Sequence, residues 1–155
     1  ESGGPLIFEA RVKIDVITNV AMFVGFTDAV DTTIPIELSG TTLITTATDA
    51  VGFLFDTDAT NDEWHGVGVD TNVDAALVRL TDAPVAATWQ TLRLVIDENG
   101  ARTNFFVDGQ LRGTFTSGSV TPSVNLEMIV AFENRSGTVH IMDCDYIYAS
   151  KGRNA

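Results

Sequence analysis

Few residues in this chain have the type and spacing to do chemistry. Asp143 and Asp145 flank Cys144 and alternate so as to share one face of an extended strand. Paired carboxylates projecting from one face are what glycoside hydrolysis requires. Asp56, Asp58, Asn61 and Asp62 concentrate side-chain oxygens in one short stretch, and Ca²⁺ takes about six to eight oxygens, partly from such loops. Trp64 and His65 follow directly, and a large amphipathic ring beside polar loops suits the face of a sugar. Cys144 is the single cysteine, and His65 and His140 are the two histidines available as bases.

Each group also has a structural reading. Asp and Asn are turn formers through side-chain-to-backbone hydrogen bonds, and the acidic stretch lacks the glycine and distal glutamate of an EF-hand, so a plain turn is expected there. Trp64 shares strand parity with Gly66 and Gly68, which suits a ring covering a glycine-flattened core face. Trp89 opens a strand and reads as a core anchor. Paired acids are common as solvated strand charges, and the alternation around Cys144 predicts a buried, inert thiol. G-x-S-x-G, G-x-x-x-x-G-K and G-x-G-x-x-G are all missing, so no nucleophile elbow or nucleotide loop is expected.

These side chains must be positioned by 155 residues, enough for one domain. We expect a flexible start over 1–5, a single domain over 6–150 and a tail over 151–155. The opening Glu1-Ser2-Gly3-Gly4 reads as a cut or processed start. With 9 basic and 21 acidic residues the net charge is -12, which disfavours nucleic acid and anionic membrane as partners. The longest apolar run, Val20 to Phe26, is far short of the roughly 20 residues of a spanning helix. A soluble protein without intramolecular disulfides follows as the expectation.

Thr, Val and Ile supply 47 of the 155 residues, a bias that favours pleated backbone over helix. Leu6 to Ile14 alternates, with Phe8, Ala10, Val12 and Ile14 on one face and Glu9, Arg11 and Lys13 on the other, where Ile7 is out of place. Val20 to Thr27 is apolar on both faces, as in a central strand, and Gly25 marks a bulge or a close approach. Asp28 to Ala50 reads as a long irregular excursion. Further strands are predicted over Val51–Asp56, Trp64–Val69, Leu77–Leu80, Trp89–Asp97, Phe105–Val107, Gln110–Phe115, Val124–Phe132 and Thr138–Ala149. Asn99-Gly100 and Asp108-Gly109 provide tight hairpin turns, and Pro122 opens the penultimate strand. The predicted fold is all-β, a two-sheet antiparallel jelly-roll sandwich with Phe8, Val12, Phe23, Leu92, Leu94, Ile96 and Phe106 in its core.

The stretch Trp89 to Phe115, WQTLRLVIDENGARTNFFVDGQLRGTF, resembles the strand-turn-strand core of concanavalin A-like jelly rolls, which include lectins and glucanases. The closing DCDYIYA is similar to that group's last strand, which returns to pair near the first. Glucanases of this group carry E-x-D-x-x-E or E-x-D-x-E on one strand, and this chain lacks that spacing, so no enzyme is expected. FEARVKIDVITNVAMFVGFTDA, DAVGFLFDTDATNDEWHGVGVD and the DYIYAS ending look like jelly-roll domains of tailed-bacteriophage structural proteins. That resemblance implies a non-catalytic head decoration or fibre module on the virion surface. Its partners would be capsid proteins or its own copies, a trimer by analogy with fibres. The alternative is an extracellular lectin-like module binding a host surface glycan, with Trp64 and His65 at the sugar and Ca²⁺ at Asp56, Asp58, Asn61 and Asp62.

Overall fold

β-branched and aromatic side chains, which suit pleated backbone, run through the long strands of the computed structural model, which describes residues 4–31, 33–75, 77–98, 100–116, 119–121 and 124–152. Among these residues there is no helix. Strands β1 (Leu6–Ile14), β9 (Gln90–Ile96), β10 (Thr103–Val107), β11 (Gln110–Phe115) and β13 (Met142–Lys151) form one antiparallel sheet in the order β11-β10-β9-β1-β13. Strands β2 (Val20–Thr27), β5 (Ala50–Asp56), β6 (His65–Asp70), β7 (Val73–Asp74) and β12 (Glu127–Asn134) form the second, in the order β12-β2-β5-β6-β7, with β8 (Val78–Arg79) also on β6. The two sheets are stacked as a sandwich, and the last long strand pairs with the first along its whole length.

The inner faces meet in one core. β1 contributes Phe8, Ala10, Val12 and Ile14, and β9 contributes Leu92, Leu94 and Ile96. Phe53, Trp64, Phe105 and Phe115 form a chain of edge-to-face rings. Phe105, not Phe106, points inward, because Thr103, Phe105 and Val107 share the buried parity of a strand that pairs with β9 in unbroken register. Phe23 is buried too, but in a second cluster on the opposite face of its sheet.

That second cluster corrects the expectation of an irregular excursion. Residues 28–50 contain a hairpin, β3 (Ile36–Ser39) and β4 (Thr42–Thr45), turned at Gly40 with φ +64°. Ile34, Ile36 and Leu38 lie against Ala21, Phe23, Leu54, Val67 and Val69, so the sandwich carries a third layer on one side. The double-sided apolar pattern of Val20 to Thr27 is thereby explained, since all eight residues of β2 are buried.

Turn chemistry matches in part. Asp108 and Gly109 both have positive φ, at 49° and 79°, as the tight hairpin demands. Gly100 has φ +69°, while Asn99 and Pro122 lie outside the described residues. The penultimate and last strands begin later than predicted, at Glu127 and Met142. Pairing also extends beyond the expected bounds of the domain: Gly4 N donates to Gly152 O at 3.0 Å, and Gly152 N to Pro5 O at 3.0 Å.

Gly25 is a close approach and not a bulge, since its register with Gly52 is unbroken. A Cβ there would meet the Val51 carbonyl oxygen and lie 2.6 Å from Gly52 Cα. Backbone on two central strands cannot give way cheaply. Gly25→Ala is expected to lower stability by about 1–3 kcal/mol, read as a reduced urea midpoint at unchanged slope.

Candidate functional site

Asp56 ends β5 in full burial, which normally demands that every carboxylate oxygen be satisfied. It accepts from the backbone N–H groups of Leu38 and Asp58, both at 2.9 Å, and from Arg135 Nη2 at 2.9 Å. The same guanidinium donates to Asp58 at 2.5 Å and to Glu37 at 3.1 Å. Burial lifts the Asp56 carboxyl above its usual range, against those two amides and Arg135. Burial also works against the Arg135 charge, but the surrounding carboxylates outweigh it and raise its pKa.

The acidic stretch proposed to hold Ca²⁺ is therefore divided. Asp56 and Asp58 converge on a protein cation, which ties the end of β12 to β5 and to the hairpin strand β3. Asn61 and Asp62 lie apart: the Asn61 carbonyl accepts from Glu63 N at 2.9 Å, and Asp62 is exposed. Among the described residues no group of three or more His, Cys, Asp or Glu side chains is arranged around a metal position. Nothing in the local sequence points to Arg135, which lies 79 residues from Asp56. Arg135→Ala is expected to destabilise the fold by about 3 kcal/mol by stranding a buried carboxylate, measured by chemical denaturation.

Trp64 is fully buried and donates its indole N–H to Gln90 Oε1 at 3.1 Å, so it presents no ring face to a sugar. Trp64 lies in the core as expected, but the rings over the glycines are those of Phe105 at Gly66 and Phe115 at Gly68. His65 points to the other side of β6 and is also buried, beside the Glu63–Arg79 ion pair, with Nε2 3.9 Å from Glu63. Its Nδ1 has no hydrogen-bond partner among the described residues.

Burial holds the His65 pKa below its ordinary 6.5, against the opposing pull of Glu63. Near pH 6.5 the unfolded chain takes up a proton that the folded chain refuses until lower pH, so this residue makes stability fall as pH drops through that window. His65→Leu is expected to flatten the stability profile between about pH 7 and 5 relative to the parent chain, measured by denaturation at each pH.

Asp143 and Asp145 do share the outer face of the five-stranded sheet, but each is taken. Lys13 Nζ lies 2.7 Å from Asp143, and Arg11 Nη1 lies 2.8 Å from Asp145. Asp145 is the extra residue of a bulge, since Arg11 pairs with Tyr146 while Val12 pairs with Cys144. Cys144, expected to be buried, is exposed, because β13 is an edge strand.

The outer face itself gathers residues that no local sequence motif joins. Trp89, expected in the core, lies half-buried on it with the Arg11 and Lys13 cations each 4.9 Å from its ring centroid. Gln90 takes the inward position, and alternation turns Trp89 outward. Tyr146 donates its hydroxyl to Glu9 at 2.7 Å, an interaction that raises its pKa. One row across the sheet runs Tyr148, Glu9, Arg93, Phe106 and Leu111, with the residues at its two ends each 54% exposed. Ile7 and Val95 lie on the next row. The result is a broad, shallow surface that mixes rings, aliphatic groups and paired charges.

Sheet order, register and the pairing of the first and last strands define a concanavalin A-like jelly roll. Solved structures of the same fold include the carbohydrate-binding module CBM66 from Bacillus subtilis, at 11% identity and TM-score 0.54, covering 96% of this chain and 76% of that one. A Bacillus licheniformis beta-glucanase matches at 15% identity and TM-score 0.60, over 100% of this chain and 68% of the other. A carbohydrate esterase from the Shiga toxin-encoding bacteriophage phi24B matches at 14% identity and TM-score 0.50, over 97% and 69%. No protein-family model and no curated protein sequence matches the chain.

Proposed function

We propose that this chain is a non-catalytic structural module exposed on the surface of a tailed-bacteriophage particle, as a head decoration or fibre domain. The observation that carries the reading is the broad outer face of the five-stranded sheet together with the exposed edge strand β13. Among the described residues apolar groups there are left exposed, which gives them a reason to bury against capsid or another copy. The acids that could do chemistry are bound to arginine and lysine. The phage-like segments Phe8–Ala29 and Asp49–Asp70 support the placement, as does the occurrence of this fold in a phage protein. The net charge of -12 suits a surface that must stay soluble and avoid packaged DNA.

A lectin-like extracellular module is the second reading. It is favoured by Tyr146, Tyr148 and Trp89 on one face beside the hydrogen-bonding groups of Glu9 and Arg93, and by the occurrence of this fold in a carbohydrate-binding module. Rings beside polar groups are how sugars are held. On that reading the glycan lies on the five-stranded sheet and not at Trp64.

Antibody against the chain is expected to label purified phage particles, and the isolated protein is expected to leave polysaccharides and esters unhydrolysed. Turnover abolished by Asp143→Asn or Asp145→Asn would overturn the non-catalytic reading. Unlabelled particles, combined with glycan binding lost in Tyr148→Ala, would instead establish the lectin-like module.

A further inference from the structure

We propose that the corner of the sandwich where β1 begins and β13 ends is a binding site for a small zwitterion with an aliphatic body, of the class of a branched-chain amino acid. A cleft of about 110 Å³ opens there between the two sheets. A cavity of roughly 150 Å³ takes a benzene ring, so a branched chain of about four carbons suits this one. Its floor is apolar, made by Leu6 and Ile96 of the five-stranded sheet and by Val120, Val124 and Leu126 of the segment that leads into β12.

The walls are held by hydrogen bonds of the fold itself. Ser119 N and Oγ both donate to the Gly100 carbonyl at 3.0 Å, and Thr121 N donates to Asp49 Oδ1 at 2.8 Å, so Val120 is pinned on both sides. Gly100 has φ +69°, and a Cβ on it would lie 2.8 Å from the Val120 carbonyl oxygen, which makes glycine a requirement of this turn. Across the cleft, the bonds between Gly4, Pro5 and Gly152 tie the first strand to the last. A pocket that is formed in advance costs a ligand little ordering.

Charge selects the ligand. Lys151 pairs with Leu6 in the ladder and so takes the inward parity of the last row of the sheet, where it lines the cleft. Glu98, on the turn after β9, lines it as well. Neither forms an ion pair or a side-chain hydrogen bond among the described residues, although acids outnumber bases 21 to 9 in the chain. The third charge there, Asp97, is engaged within its own turn, with Oδ1 accepting from Ala101 N at 2.9 Å. One free ammonium and one free carboxylate beside an apolar floor complement a ligand that carries both charges on a short aliphatic chain. An aliphatic anion would meet Glu98 and Asp97 as like charges, and an aliphatic amine would meet Lys151 as one.

Titration of the parent chain with L-leucine, followed by amide chemical shifts, tests the site. Shifts are expected at Leu6, Ile96, Gly100, Val120 and Lys151, with a dissociation constant of about 1–5 mM. Isocaproate lacks the ammonium, isoamylamine lacks the carboxylate and glycine lacks the chain, and each is expected to bind about tenfold more weakly or not at all. Glu98→Gln and Lys151→Met should each weaken leucine by about tenfold with amide positions elsewhere unchanged, and Lys151→Met should relieve the handicap of isoamylamine. No shift at about 20 mM leucine, shifts centred on another part of the surface, equal binding of isocaproate and leucine, or variants that bind leucine as the parent does would each overturn the proposal. Neither reading of the protein's role requires this cleft, so its failure and theirs are separate results.

Discussion

Everything in this fold depends on the central pair β2–β5 being apolar on both faces and drawn close together at Gly25 and Gly52. A sheet of that composition cannot face water on either side. One side is closed by the five-stranded sheet through the Phe and Leu core, and the other by the hairpin β3–β4 through Ile36 and Leu38. The hairpin in turn needs an anchor at its polar end. The guanidinium of Arg135 holds Glu37, Asp56 and Asp58 together and joins it to the sheet beneath.

Much of this was legible because strand periodicity is local. The alternation of Leu6–Ile14 and of Leu92, Leu94 and Ile96 placed two strands and their buried faces, and Asp108-Gly109 placed a turn. The hairpin within 28–50 was hidden because its strands are four residues each, too short for a period to show, and Thr-rich. Phe106 was expected inside because two adjacent phenylalanines offer either parity, and only the flanking Thr103 and Val107 set the buried one. Trp89 turns outward because Gln90 holds the inward parity of β9, which overrides the burial usual for tryptophan.

The candidate sites were harder to read, for a related reason. Residue type said that Asp56 and Asp58 could bind a cation, and they do bind one, but the cation is a side chain from the far end of the sequence. Asp143 and Asp145 were placed correctly on one face, yet their partners Lys13 and Arg11 belong to the first strand. Pairings between distant segments decide whether an acid is reactive or neutralised. The flat outer face of the five-stranded sheet draws single residues from five strands, so no local motif announces it.

The hydrogen bonds joining Gly4 to Gly152 bring the two ends of the described fold to one corner. A polypeptide that enters this domain therefore leaves it about one strand spacing away. Such a domain can be spliced into a surface loop of a larger protein as a closed appendage, because the host must bridge only a narrow gap and loses little loop entropy in doing so. Geometrically, it can be carried as an insertion as readily as at a chain end.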